Sequence, residues 1–292
     1  MKIGLGTVQF GMNYGISNTR GKPSEDEIRR TLDVARGAGI QIIDTAHTYG
    51  ESEAVLGRNL PAKHEFRIVT KTLPLRTETV SAADIQRVIS AFHFSLERLR
   101  QPSVYGLLAH HASDLLAKGG EHLMSTLVSL KSQGLIKKIG VSVYDQLELD
   151  AILSRYTIDM IQLPFNVLDQ RLLENGTLSR LNKDGIEIHA RSIFLQGLLL
   201  MDPDNLGSHF RSAQGPLKKF HEFSRSHGKT PLELALNFAI NRKEIDHIII
   251  GINHPEELAE ILSAAQLPPA IDNYSDFAIH DETVLNPARW PH

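Results

Sequence analysis

The sequence predicts an α/β protein, a single-domain (β/α)8 TIM barrel spanning residues 1–292. Short β-branched runs alternate with longer amphipathic segments eight times. The strand-like runs are apolar throughout, as expected for a parallel sheet covered by helices on both faces. The length, 292 residues, suits one such barrel of about 250 residues with long loops.

The elements follow in order. Ile3–Gly6 reads as the first strand, and Gly11–Pro23 as a loop. Ser24, with Glu27 three residues on, forms a capping box for a helix whose stripe is Ile28, Leu32 and Ala35. Strands follow at Ile40–Asp44 and Phe66–Lys71. Ser81–Leu99 carries Ile85, Val88, Ile89, Phe92, Leu96 and Leu99 at helical spacing. Val104–His110 is the fourth strand. Leu123–Gln133 is a helix, stopped by Gly134. Strands come next at Lys138–Ser142, Met160–Leu163 and Ile186–Arg191. Leu200–Gly215, rich in Asp, Pro, Asn, Gly and Ser, reads as a long loop. Pro231 opens a helix in its first turn, and Ile245–Gly251 is the eighth strand. The tail from Leu267 carries four prolines and is expected to pack across one barrel end. An open doubly wound sheet is the competing architecture. It would want a Gly-x-Gly-x-x-Gly turn after the first strand, and Gly4–Gly11 lacks the third glycine at that spacing.

Composition narrows the function. A net charge of -3 offers no basic field for nucleic acid. No run of 18 apolar residues appears, so no membrane span is expected. Cys is absent, which excludes disulfides, thiolate metal sites and cysteine nucleophiles. The N-terminus carries no apolar leader, and a cytoplasmic location is the default expectation.

In such barrels function gathers at the C-terminal ends of the strands. The second strand ends in Asp44, with Tyr49 five residues on. The third ends in Lys71 and the fourth in His110. An ammonium beside a phenol lowers its pKa, a carboxylate holds the ammonium charged, and an imidazole can orient a carbonyl oxygen. Together they suit donating a proton to a carbonyl oxygen as hydride reaches its carbon.

The run Asp44-Thr45-Ala46-His47-Thr48-Tyr49-Gly50-Glu51-Ser52-Glu53 closely resembles the aldo-keto reductase signature D-[TS]-A-x-x-Y-G-x-[SA]-E. The resemblance continues through Val69-Thr70-Lys71, Leu107–His111, Gly140-Val141-Ser142, Ile161–Asn166 and Ile249-Ile250-Gly251, in the family's order and over nearly the whole chain. It implies a metal-free oxidoreductase that moves hydride between NADP or NAD and a small-molecule carbonyl or alcohol. Asp44, Tyr49, Lys71 and His110 would be its catalytic tetrad, His110 being favoured over the adjacent His111. His47 reads as a loop residue. The implied cofactor-binding set is Gly6, Thr7, Ser142, Gln162, Arg191, Ser192, Gly251, Asn253 and Glu257. Ser142 and Gln162 would hold the nicotinamide carboxamide.

Three positions depart from the family pattern. Val143 stands where Asn usually follows the serine. Arg191 replaces the Tyr that stacks on nicotinamide. A guanidinium can also stack on a flat ring, or it could form a salt bridge in the barrel mouth. Glu257 occupies the place of the Arg that clamps the adenosine 2′-phosphate. A carboxylate there repels phosphate and can accept from a ribose 2′-hydroxyl, so weakened NADP preference is expected. Asn253 is expected to cap the helix that follows it. The segment Arg191–Leu199 resembles one branch of the family and points to a sugar-derived carbonyl. The alternative function is a regulatory or sensing protein, a reductase-like barrel that binds nicotinamide with little turnover. A His/Asp metal hydrolase is the third and weakest candidate, since His110-His111 lacks helical ligand spacing.

Overall fold

The computed structural model describes residues 1–61, 63–268 and 273–291. Eight parallel strands close into a barrel in sequence order: β1 (Ile3–Gly6), β2 (Ile42–Asp44), β3 (Arg67–Lys71), β4 (Val104–Ala109), β5 (Ile136–Ser142), β6 (Met160–Pro164), β7 (Glu187–Arg191) and β8 (His247–Gly251). Closure is made by β1 against β8, with Gly6 opposite Gly251. The eight-unit barrel expected from the alternation is what forms.

Helices cover the outer face. The main ones are α1 (Glu25–Gly37), α2 (Ser52–Asn59), α3 (Ala82–Leu99), α4 (Gly120–Ser132), α5 (Gln146–Leu153), α6 (Thr177–Lys183), α7 (Arg211–Ser226), α8 (Pro231–Ile240) and α9 (Pro255–Ala264). Capping boxes close the starts of α1 at Ser24 and Glu27 and of α3 at Ser81 and Asp84. Thr230 caps α8, and Pro231 occupies its first turn, where a missing N–H costs nothing.

Several boundaries differ from the sequence reading. β2 starts at Ile42, β4 stops at Ala109, and β5 begins two residues early at Ile136. The loop expected over Leu200–Gly215 is partly helical. Two 3-10 turns occupy Pro203–Asn205 and Ser208–Phe210, and α7 starts at Arg211 with Pro216 inside it. Gly215-Pro216 disguises that start. Burial of Ala213, Leu217, Phe220 and Ser224 along one stripe outweighs the low local propensity.

The barrel interior is layered. Ile42, Val69, Leu108, Met160 and Ile249 form a separate apolar cluster inside it, against which Tyr105 packs. Below lies a polar floor: Glu187 accepts from Tyr105 (2.7 Å), from His189 (2.7 Å) and from Lys138. The larger core lies between strands and helices. The described part of the tail folds back as expected. Ile279 N donates to Leu168 O at 2.9 Å, Trp290 Nε1 donates to Val284 O at 2.9 Å, and Trp290 meets Phe210 edge to face. No helix among the described residues is long and apolar enough to cross a membrane.

Candidate active site

A cavity of about 540 Å³ opens at the C-terminal end of the strands, and Asp44, Tyr49, Lys71 and His110 all line it. β2 and β3 deliver the first and third of these from adjacent strands: Asp44 pairs in register with Val69, so Lys71 lies two residues farther along β3 and its side chain spans the offset. Lys71 Nζ donates to Asp44 Oδ1 at 2.7 Å and to Thr45 O at 3.0 Å. Both side chains are nearly inaccessible, 2% and 5% exposed. Burial pulls the ammonium pKa down, but Asp44 and Tyr49 more than offset it, and the net shift is upward. The pairing with Asp44 thus favours the charged form of Lys71.

Its ammonium sits 4.9 Å from the centre of the Tyr49 ring. An ammonium neighbour is expected from the sequence to acidify the phenol. Lys71 does pull the Tyr49 pKa down, but burial pushes it up more strongly and Asp44 adds to the push. The net direction is above the ordinary value, which corrects that expectation. Tyr49 is thus held protonated, with Lys71 limiting how far its acidity falls.

His110 meets the Tyr49 ring edge to face, with centroids 6.2 Å apart. Burial, then the charge of Lys71, pushes its pKa down to about 2, so the ring is neutral. His111 stacks on His110 at 4.9 Å and does not line the cavity. The two rings do not alternate as strand neighbours would, because both lie beyond the end of β4. His47 faces away as well, bonded to Ser95 and Arg98.

The Tyr49 loop is held by backbone proximity. A Cβ on Gly11 would lie 1.8 Å from Tyr49 O, and one on Gly50 would lie 2.5 Å from Gly11 O. Gly50 also has φ +54, which a side chain disfavours. Behind the loop, buried Glu53 accepts from Thr70 Oγ1 at 2.6 Å and pairs with Arg98. The signature's final Glu is thus an anchor, a role that sequence spacing did not reveal.

All nine residues expected at the cofactor line the same cavity. Thr7 has its hydroxyl committed to Asp44 O (2.9 Å) and Ser52 Oγ (2.8 Å), and it presents only a wall. Ser142 lies opposite Gln162 in register. Gln162 Nε2 donates to Asp44 Oδ2 at 2.8 Å, a contact the sequence did not show. Its amide oxygen remains for a ligand. Ser192 (φ 60), Leu195 (φ 48) and Gln196 (φ 55) hold left-handed conformations, and such strain often collects at binding loops. Asn253 does not cap α9. His254 takes the N-cap position, and Pro255 fixes the first turn. Glu257 reaches back instead, accepting from Asn253 N at 2.8 Å and approaching His254 Nε2 at 3.2 Å. Of the two loops read from the sequence, Gly11–Pro23 supplies Tyr14, Gly15, Ser17 and Asn18 to the cavity, and Leu200–Gly215 supplies only Leu200.

The polar lining of the cavity is compatible with a bound nicotinamide cofactor. Gln9 Oε1, His110 Nδ1 and Asn253 Oδ1 are buried without hydrogen-bond partners among the described residues, and all three residues line the cavity. Such atoms are costly unless a ligand satisfies them. The profile described as "Aldo/keto reductase family" matches residues 2–282.

The chain belongs to the aldo/keto reductase family.

Among the relatives of this aldo/keto reductase is Aldo-keto reductase YhdN of Bacillus subtilis (strain 168), 26% identical over 88% of this chain and 82% of the relative. L-galactose dehydrogenase of Arabidopsis thaliana is 25% identical, covering 99% and 92%. The NADH-specific methylglyoxal reductase of Escherichia coli (strain K12) is 24% identical, covering 91% and 90%. The holo form of aldo-keto reductase AKR11C1 from Bacillus halodurans superposes with a TM-score of 0.74 at 20% identity, over 92% of this chain and 87% of that one, which supports the fold. Membership makes the protein an oxidoreductase of the kind that couples a nicotinamide cofactor to a small carbonyl compound.

Proposed function

We propose that this aldo/keto reductase reduces an aldehyde or ketone to an alcohol with Tyr49 as the proton donor and NADH as an accepted hydride source. The observation that carries the reading is the convergence of Tyr49, the Lys71–Asp44 pair and neutral His110 on one cavity.

A bound nicotinamide supplies hydride to the carbonyl carbon. Every other task falls to the chain. Tyr49 Oη holds the proton that the carbonyl oxygen acquires. His110, neutral and therefore able to donate one N–H, orients that oxygen. Lys71 stabilises the phenolate left behind, and Asp44 fixes Lys71 in place. Ser142 and the Gln162 amide oxygen would hold the carboxamide, Gly6, Thr7 and Ser192 the walls of the nicotinamide end, and Gly251 and Asn253 the start of α9, whose N-terminus favours phosphate.

Glu257 supports use of NADH. Its carboxylate lines the cavity beside the N-terminus of α9, where a 2′-phosphate would be repelled and a 2′-hydroxyl accepted. The resemblance of Arg191–Leu199 to one family branch, and the name of the Arabidopsis relative, support a sugar-derived carbonyl as substrate.

Loss of NADH absorbance over a panel of aldehydes, ketones and sugars tests the activity. Tyr49→Phe is expected to lower kcat by 100-fold or more while retaining cofactor binding. Undiminished turnover in that variant, or cofactor binding by the wild type without turnover of any carbonyl, would sink the reading.

A further inference from the structure

Arg191 is the last residue of β7 and lines the cavity together with Tyr49, Lys71 and His110. The salt bridge that was one expectation for it does not form: among the described residues no carboxylate pairs with its guanidinium. Its contacts are neutral. Nη2 donates to Val143 O at 3.1 Å, Nη1 to Ser192 Oγ at 3.4 Å, and one face covers the Tyr144 ring at 4.4 Å. A guanidinium carries five N–H donors, so several remain for a ligand.

The charges at this end of the cavity leave Arg191 without a direct counter-charge. Lys71 is neutralised by Asp44. Glu257 lies at the other end, tied to Asn253 and His254. Glu148, the acid whose proton affinity registers Arg191, instead accepts from Tyr144 N at 2.8 Å. Arg191 is thus a half-buried cation with no direct ion-pair partner among the described residues, Glu148 acting on it only at longer range. Its field reaches the reacting groups, since it lowers the proton affinity of both Tyr49 and His110. A cation in such a place is costly to desolvate unless an anion meets it. The planar fork matches a carboxylate in particular.

We infer that the substrate bears a carboxylate as well as its carbonyl, and that Arg191, already braced by Val143 O and Tyr144, clamps that carboxylate so that the carbonyl lies between Tyr49 and His110. This rests on the reductase reading above. In the reaction the carbonyl carbon gains hydride from NADH, the oxygen gains the Tyr49 proton, and the carboxylate passes through unchanged. Water restores the phenol. Oxo-acids and sugar acids with a free carbonyl are the fitting class.

Matched substrates test it: succinic semialdehyde against butanal, and glucuronate against glucose, with wild type, Arg191→Gln and Arg191→Lys. The expected wild-type preference for the acid, read as a ratio of kcat/KM values, is 10-fold or more. Arg191→Gln should reduce that acid-to-neutral ratio by 10-fold or more, chiefly through KM, and Arg191→Lys should restore part of it. Equal treatment of acid and neutral partners by the wild type overturns the proposal. So does a 10-fold loss of NADH affinity in Arg191→Gln with the ratio intact, because the guanidinium then serves the cofactor. Calorimetric titration of succinate into the NADH-loaded protein separates the two readings. Binding by the wild type and not by Arg191→Gln supports the anion site even if no carbonyl is reduced. Absence of succinate binding together with an unchanged ratio refutes the anion site while leaving the reductase reading standing.

Discussion

Gln162 Nε2 donates to Asp44 Oδ2 over 2.8 Å, joining β6 to β2 through the barrel interior. With Lys71 on Oδ1, both oxygens of the carboxylate are occupied by donors. Asp44 therefore has one orientation, and Lys71 inherits it. A change at residue 162 should act on the ammonium two contacts away.

A double-mutant cycle measures the Asp44–Lys71 pair, and a single variant the contact from Gln162. Asp44→Asn leaves the Lys71 charge buried and unpaired, and is expected to cost on the order of 3 kcal/mol in denaturant unfolding. Adding Lys71→Met should recover much of that stability while activity stays low. Additive losses in the two single variants would show the pair to be uncoupled. Gln162→Leu should lower kcat by about 10-fold, roughly the effect of one hydrogen bond to a charged group.

Gly11 and Gly50 let two backbone segments touch. Gly11→Ala places a methyl group 1.8 Å from Tyr49 O unless the loop moves. Turnover is expected to slow by 10-fold or more, with a smaller effect on KM for the cofactor. Gly37→Ala meets nothing within 4 Å and serves as the control. Equal kinetics in the two variants would refute the role of this contact.

Cofactor choice should follow charge at residue 257. Glu257→Gln is expected to improve NADPH affinity several-fold, and Glu257→Arg more, read by quenching of intrinsic fluorescence. A strong wild-type preference for NADPH that Glu257→Gln leaves unchanged would contradict the assignment.

Acid stability should depend on His247. Burial, then the charge of His189, pushes its pKa down to about 4 from an ordinary 6.5. Above pH 6.5 the ring is neutral in both folded and unfolded chains. As pH falls from 6.5 toward 4 only the unfolded chain takes up the proton, so stability is lost across that window. His247→Asn should flatten the decline of Tm there by several degrees. A parallel decline in both proteins would exclude His247 as a contributor.

Much of this was legible in the sequence because it is local. Capping boxes at Ser24 and Ser81 need only three-residue spacing, and strand ends placed Asp44, Lys71 and His110 on one rim. Contacts between distant residues were not legible. The Gln162–Asp44 bond spans 118 positions, and no periodicity records it. The direction of the Tyr49 shift also escaped the reading, since the effect of Lys71 was visible but the depth of burial opposing it was not. Asn253 failed as a cap because Pro255 moves the helix start one residue on, and α7 was hidden because Gly215-Pro216 reads as a turn.

The apolar cluster of Ile42, Val69, Leu108, Met160 and Ile249 lies between the catalytic mouth and the polar floor around Glu187. Hydrocarbon packed at interior density has no sites along which a proton can hop. The vessel is therefore closed at one end, and each hydrogen surrendered by the phenol at position 49 must be restocked from the side where ligands enter.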